Sequence, residues 1–188
     1  MSPKGRPEGE SAPKRVGAKG SPVKAKVAAV TCARMDAATR RDARAILGAF
    51  LGSDTHYLAS SGAYGDGGPE ALSRALDLFL ARRDLGFVWI AYADGVAPRT
   101  PVGACVVCYA ISTSRGSLVA KLDDVHVAAG WQGRGVGGAM LVALFDALRR
   151  DGITRIDCGC HRDNVGAWRF YEQLGFRPLD EERLALLI

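Results

Sequence analysis

The 188-residue sequence has no apolar run approaching the ~20 residues needed to cross a bilayer, so no membrane partner is expected. Its N-terminus is basic but has no apolar core of the kind a secretory signal needs. The expectation is therefore a cytoplasmic protein whose five cysteines stay reduced. An excess of either charge is missing from the body of the chain. Residues 1–26 hold seven basic side chains against Glu8 and Glu10, which equals the whole net charge of +5 and leaves 18 basic and 18 acidic residues over 27–188. The tail is rich in Pro, Gly, Ser and Lys with almost no bulky apolar residue, so it cannot offset the entropy of ordering and reads as a disordered basic extension. It lacks the dense basic run of a nucleic-acid tether, and nucleic acid is not the expected partner. Internal repeats are absent too. The full chain is 48% hydrophobic and 24% charged, the composition of one ordinary domain, expected over residues 27–188. A domain of that size buries roughly 70% of its unfolded surface.

The hydrophobic period sets the element order. "VAAVTCARM" from Val27 reads as a strand. Asp36 can cap a helix running to Leu51, with Ala43, Ile46, Leu47 and Phe50 on one face. "GSDTHYLASSGAYGDGGP" reads as a long loop and a candidate substrate lid. Pro69 opens a second helix carrying Leu72, Leu76, Phe79 and Leu80. The period then drops to two. "GFVWIAYAD", "VGACVVCYAIS" and "SLVAKLDDVHV" form an antiparallel meander joined by short turns. A helix ended by Gly152, the strand "ITRIDCGC", a helix ended by Gly175, and strand pieces "FRPL" and "RLALLI" complete it. The class is α/β, with a mixed, mostly antiparallel sheet flanked by helices.

Gly133, Gly135 and Gly138 spell GxGxxG, the dinucleotide fingerprint. That fingerprint needs a buried parallel strand running directly into the glycines and a continuing βαβ unit. Here the preceding strand carries Asp123 and Asp124 and leaves an antiparallel hairpin. Five residues, Ala128 to Gln132, intervene, and only fifty residues follow Gly138. Asp157, nineteen residues on, satisfies the acid position alone. A nicotinamide or flavin is excluded on these grounds. A phosphate group is not, because a glycine-rich strand-to-helix turn bares successive N–H groups at a helix N-terminus.

"QGRGVG", Gln132 to Gly137, resembles the Gln/Arg-x-x-Gly-x-Gly/Ala signature of the GNAT superfamily of N-acetyltransferases. "DNVGAWRFYEQLGF" resembles its Asn-x-x-Ala-x-x-Phe-Tyr-x-x-Leu-Gly-Phe helix at Asn164, Ala167, Phe170, Tyr171, Leu174, Gly175 and Phe176. The close likeness covers about residues 117–178, and the first helices carry no family signature. The resemblance implies a single GNAT-like domain with splayed central strands, no metal, and acetyl-CoA as co-substrate. It implies direct attack by a primary amine in a ternary complex. Main-chain groups of Gln132, Gly133, Arg134, Gly135, Val136, Gly137 and Gly138 would hold the pyrophosphate. Those of Val125 and Val127 would hold the pantetheine as an added strand, with an amide near Val127 as oxyanion donor, and Asn164 would bond the same arm.

The resemblance makes Tyr171 the acid that protonates the leaving thiolate. Asp123 or Asp124 would take the amine proton; "LDDVHV" is similar to a stretch of polyamine acetyltransferases whose first acid is the base. Strict alternation allows only one of the two to point at the acetyl group. His126 is a further candidate base. Asp54, Tyr64, Asp66 and Glu70 are candidate acceptor contacts, and the acceptor itself stays open among polyamines, aminoglycosides, and lysine or N-terminal amines. Cys105/Cys108 and Cys158/Cys160 have metal-like spacing but lie inside strands, where Cys105 and Cys108 face opposite sides. A non-catalytic acyl-CoA-binding module is the alternative function. Homodimers are common in this family, but no residue here specifies one.

Overall fold

The computed structural model describes residues 28–64 and 67–179. Five strands form one sheet in the order β1-β2-β3-β4-β5. They are β1 (Val30–Arg34), β2 (Gly86–Ala93), β3 (Thr100–Ser112), β4 (Ser117–Val127) and β5 (Ile156–Cys158). The first four are antiparallel neighbours and β5 lies parallel to β4. The class and meander follow the sequence reading. Of the final strand pieces, Phe176–Leu179 is not a strand, and residues 183–188 lie outside the described residues, as does the 1–26 tail.

Helices cover both faces, which is why β2 is buried at every position rather than alternately. On one face α1 (Arg40–Ser53) and α3 (Gly68–Ala81) set Ala43, Ile46, Leu47 and Leu76 against Val88, Ile90, Tyr92 and Val106. On the other, α4 (Val136–Arg150) packs Met140, Leu141, Leu144 and Leu148 on Trp89, Val107 and Leu122. Trp89 Nε1 donates to the Met140 carbonyl at 3.2 Å and pins α4 to β2. Helix α5 (Val165–Gln173) adds Phe170 and Tyr171 to this face.

Two expectations need correction. Asp36 does not cap α1 directly. It closes a turn ahead of it, its Oδ1 accepting from Thr39 N at 2.9 Å, and the α-helix begins at Arg40. The expected long loop contains a helix, α2 (Thr55–Tyr64). Asp54 starts it, because its Oδ1 accepts from Tyr57 N at 2.8 Å and satisfies a first-turn donor. The Ser, Gly and Ala content and weak amphipathic pattern of the stretch hid a helix that its cap reveals.

Candidate active site

The site is built on an irregularity in β4. Ala104 of β3 pairs with His126 and Val106 with Asp123, so Cys105 alone opposes both Asp124 and Val125. Two residues against one is a β-bulge. Asp124 absorbs it at φ 51, in the left-handed region. The bulge breaks the alternation between Asp123 and His126. Asp123 and His126, an odd number of residues apart, both fall on the α1 side with Val106 and Ala104. Val125 and Val127 pack on the α4 side. The last β4–β5 pair is Leu122 with Cys158, so the β4 edge from Asp123 to Val127 has no β5 residue beside it. That is the expected splay.

The two acids differ in surroundings. Asp123 pairs with Lys121 at 2.8 Å. Burial, then the Asp123 charge, pushes the Asp124 carboxyl up to about 6, with Lys121 opposing. Burial lowers the His126 imidazole and Asp54 opposes the shift. The His126 ring lies 5.6 Å from Phe50, which lies 5.9 Å from Tyr57. Across the opening, His56 of α2 meets His161 at 5.3 Å. Glu70 is exposed in the first turn of α3; Asp66 and the Tyr64 side chain lie outside the described residues.

The glycine turn follows β4. Gln132 Nε2 donates to the Val127 carbonyl at 2.9 Å, and the Gln132 amide donates weakly to Ala129 O at 3.4 Å. Two of the expected ligand contacts are thus already engaged within the turn. Gly133 and Gly135 have φ of 69 and 78, which a side chain would strain. Helix α4 has no side-chain cap, and the first bond back is from Ala139 N to Gly135 O, so the amides of Val136, Gly137 and Gly138 lack a helical acceptor. A Cβ at Gly138 would meet nothing within 4 Å, whereas one at Gly137 would reach the Phe170 ring at 3.3 Å. Bare amides, the open space beside Gly138 and the helix dipole together fit an anionic group such as a pyrophosphate. The Arg134 guanidinium lies 5.4 Å from the Trp131 ring, at the rim.

Asn164 caps α5, its Oδ1 accepting from Ala167 N at 3.0 Å, which leaves its amide nitrogen as the group for a ligand. Seven residues on, the Tyr171 ring lies 5.3 Å from Phe170 and 5.4 Å from Phe176. Burial is the main cause pushing its phenol far above the ordinary range, reinforced by the neighbouring Cys158. Nothing in the sequence singled out Asp124 for a bulge. Cys105 and Cys108 do enter opposite faces of the sheet. Among the described residues no group of three or more His, Cys, Asp or Glu could hold a metal ion. A cavity of about 500 Å³ between α1, α2 and α3, lined by Arg41, Arg44 and Leu72 among others, touches no β4 residue and is not this site.

The acetyltransferase (GNAT) family model matches residues 55–176, well over half of the chain. No curated protein matches it in sequence. Among solved structures, the chain is similar to a probable acetyltransferase at 21% identity and a TM-score of 0.66, covering 84% of this chain and 97% of the other. It is similar to a predicted acetyltransferase with acetyl-CoA from Clostridium acetobutylicum at 16% identity and 0.63, covering 84% and 96%. It is also similar to AAC(6')-Iy in complex with a bisubstrate analogue, CoA-S-monomethyl-acetylneamine, at 16% and 0.64, covering 85% and 99%. With its glycine turn, splayed strands and matched family model, the chain belongs to the GNAT family of N-acetyltransferases, with acetyl-CoA as acyl donor.

Proposed function

We propose that this enzyme acetylates a primary amine by direct attack in a ternary complex, with Asp124 as base and Tyr171 as acid. One observation carries the reading. Asp124, its carboxyl raised to about 6, sits in the β4 bulge just past the last β4–β5 pair, and Tyr171, its phenol pushed far up by burial, packs on the same face of the sheet as Val125. A base must be ionised yet basic enough to accept a proton at neutral pH, and Asp124 meets both conditions. Asp123 is already ion-paired with Lys121, which leaves Asp124 the better placed to remove a proton. His126 orients the acceptor from the α1 side.

The backbone amides from Gly133 to Gly138 and the Arg134 charge bind the pyrophosphate. Val125, outside the β3 register, offers main-chain groups to the pantetheine, the Asn164 amide adds a donor, and an N–H of the Val125–Val127 stretch faces the thioester carbonyl. Attack by the neutral amine breaks the C–S bond; Asp124 receives the ammonium proton and Tyr171 returns one to the leaving sulfur. Phe50 and Tyr57 with Asp54 and Asp123 form an aromatic, acidic entrance that suits a cationic acceptor, whether polyamine, aminoglycoside, lysine or N-terminal amine.

Acetyl-CoA-dependent thiol release across those four amine classes tests the reading. Release with one class establishes the transfer and its acceptor. Tight acetyl-CoA binding with no release from any amine would instead support the non-catalytic acyl-CoA-binding module.

A further inference from the structure

The cavity of about 500 Å³ between α1, α2 and α3 carries a charge opposite to the one an amine acceptor needs. It runs along one face of α1, from Arg41 and Arg44 past Gly48 to Leu51, about 15 Å of helix. Leu58 of α2 and Leu72 of α3 form its other walls, and Leu58 is left 46% exposed. Arg40 ties α1 to α3 through the Asp77 carboxylate, at 2.6 and 2.9 Å. The guanidinium groups of Arg41 and Arg44 have no such partner among the described residues, and none of the described residues lining the cavity is acidic. The cavity thus has two unpaired positive charges at one end and leucine at the other. Gly48 keeps the space between them open. A Cβ there would meet only Leu72 Cδ2, at 3.6 Å, an ordinary contact, and one at Gly52, a turn further on, would meet nothing within 4 Å. Neither packing nor a positive φ calls for glycine at these positions, although glycine inside a helix is less stable than alanine.

We propose that this cavity is a second ligand site, which takes an amphipathic monoanion: a free carboxylate on a medium-length alkyl chain. Arg41 and Arg44 hold the carboxylate, since a planar guanidinium can give it two parallel hydrogen bonds. The alkyl chain lies along Gly48, between Leu58 and Leu72, and ends by Leu51. The volume is that of a small-molecule site. It is separate from the catalytic opening, because α1 turns Ile46 and Leu47 to the sheet and Phe50 to His126, and presents Arg44 and Gly48 on its far side.

The test is calorimetric titration of the full chain with decanoate, below its micelle-forming range. Decanoate is expected to saturate a single site per chain, and decyltrimethylammonium, with the same tail and the opposite charge, to show no saturable binding. Arg41→Gln combined with Arg44→Gln should weaken decanoate at least about tenfold, because both charged hydrogen-bond donors are gone. Gly48→Leu, which fills the cavity, should abolish binding while the variant still melts cooperatively. Should that variant misfold, the arginine variant, altered only at exposed side chains, decides the matter. Saturating acetyl-CoA should leave decanoate binding unchanged. No saturable binding of decanoate overturns the proposal, as does equal binding of the cation or full affinity in the arginine variant. Displacement by acetyl-CoA overturns it too, since that result puts the alkyl chain in the opening between β4 and β5.

Discussion

Asp124 combines a left-handed backbone with a buried carboxyl, and both features oppose folding. Asp is among the few residues with side chains that visit the left-handed region readily, and Asn is another. Asp124→Asn should therefore keep the bulge while removing the buried charge. The sign follows from the raised pKa. Between the unfolded value of 3.8 and the folded value of about 6, the native state binds more protons than the unfolded one. Stability therefore falls as pH rises through that window, by up to about 3 kcal/mol. Asp124→Asn is expected to melt above wild type at pH 7 and to lose that advantage at pH 4, measured by thermal denaturation. A lower melting temperature at pH 7 would mean that the carboxylate makes compensating contacts.

At the scale of elements, the glycine turn separates binding from folding. Gly138→Ala meets no atom and relieves a helical glycine, so the fold should gain roughly 0.5 kcal/mol or lose nothing. Its methyl would enter the recess offered to the pyrophosphate, and KM for acetyl-CoA should rise at least about tenfold if bare amides carry that grip. An unchanged KM would move the phosphate elsewhere. Helix α2 allows a second check. Asp54→Ala removes its cap, at a cost of about 1 kcal/mol, and removes the charge that supports the His126 imidazolium, so the His126 titration should shift to lower pH by NMR. The glycine turn and the α5 helix were legible because their chemistry is local: positive-φ glycines, an Asn cap, apolar spacing. The bulge was not, because alternation in "LDDVHV" reads perfectly well as a regular strand and only pairing with β3 shows one residue too many. Helix α2 was hidden for the opposite reason, a correct local cap outweighed by a loop-like composition.

At the scale of the whole molecule, the balance of 18 basic and 18 acidic residues over 27–188 confines the net charge to the first 26 positions. Among the described residues no helix is long and apolar enough to cross a membrane. A chain beginning at Val27 keeps the Ala28 amide that bonds the Arg134 carbonyl in the glycine turn. It is expected to retain acetyl-CoA binding by calorimetry, while any affinity for nucleic acid disappears and, in the full chain, falls steeply with salt. Nucleic-acid affinity that survives truncation would place a binding surface on the domain itself.

The most direct test of the chemistry is the pH dependence of kcat/KM for the amine, in wild type and Asp124→Asn. The wild-type enzyme is expected to show an acidic limb with a midpoint near 6, where Asp124 ionises, and the Asn variant to lose about 10²-fold or more in rate together with that limb. An Asn variant that keeps the wild-type rate and the same limb would contradict the assignment of Asp124 as the base.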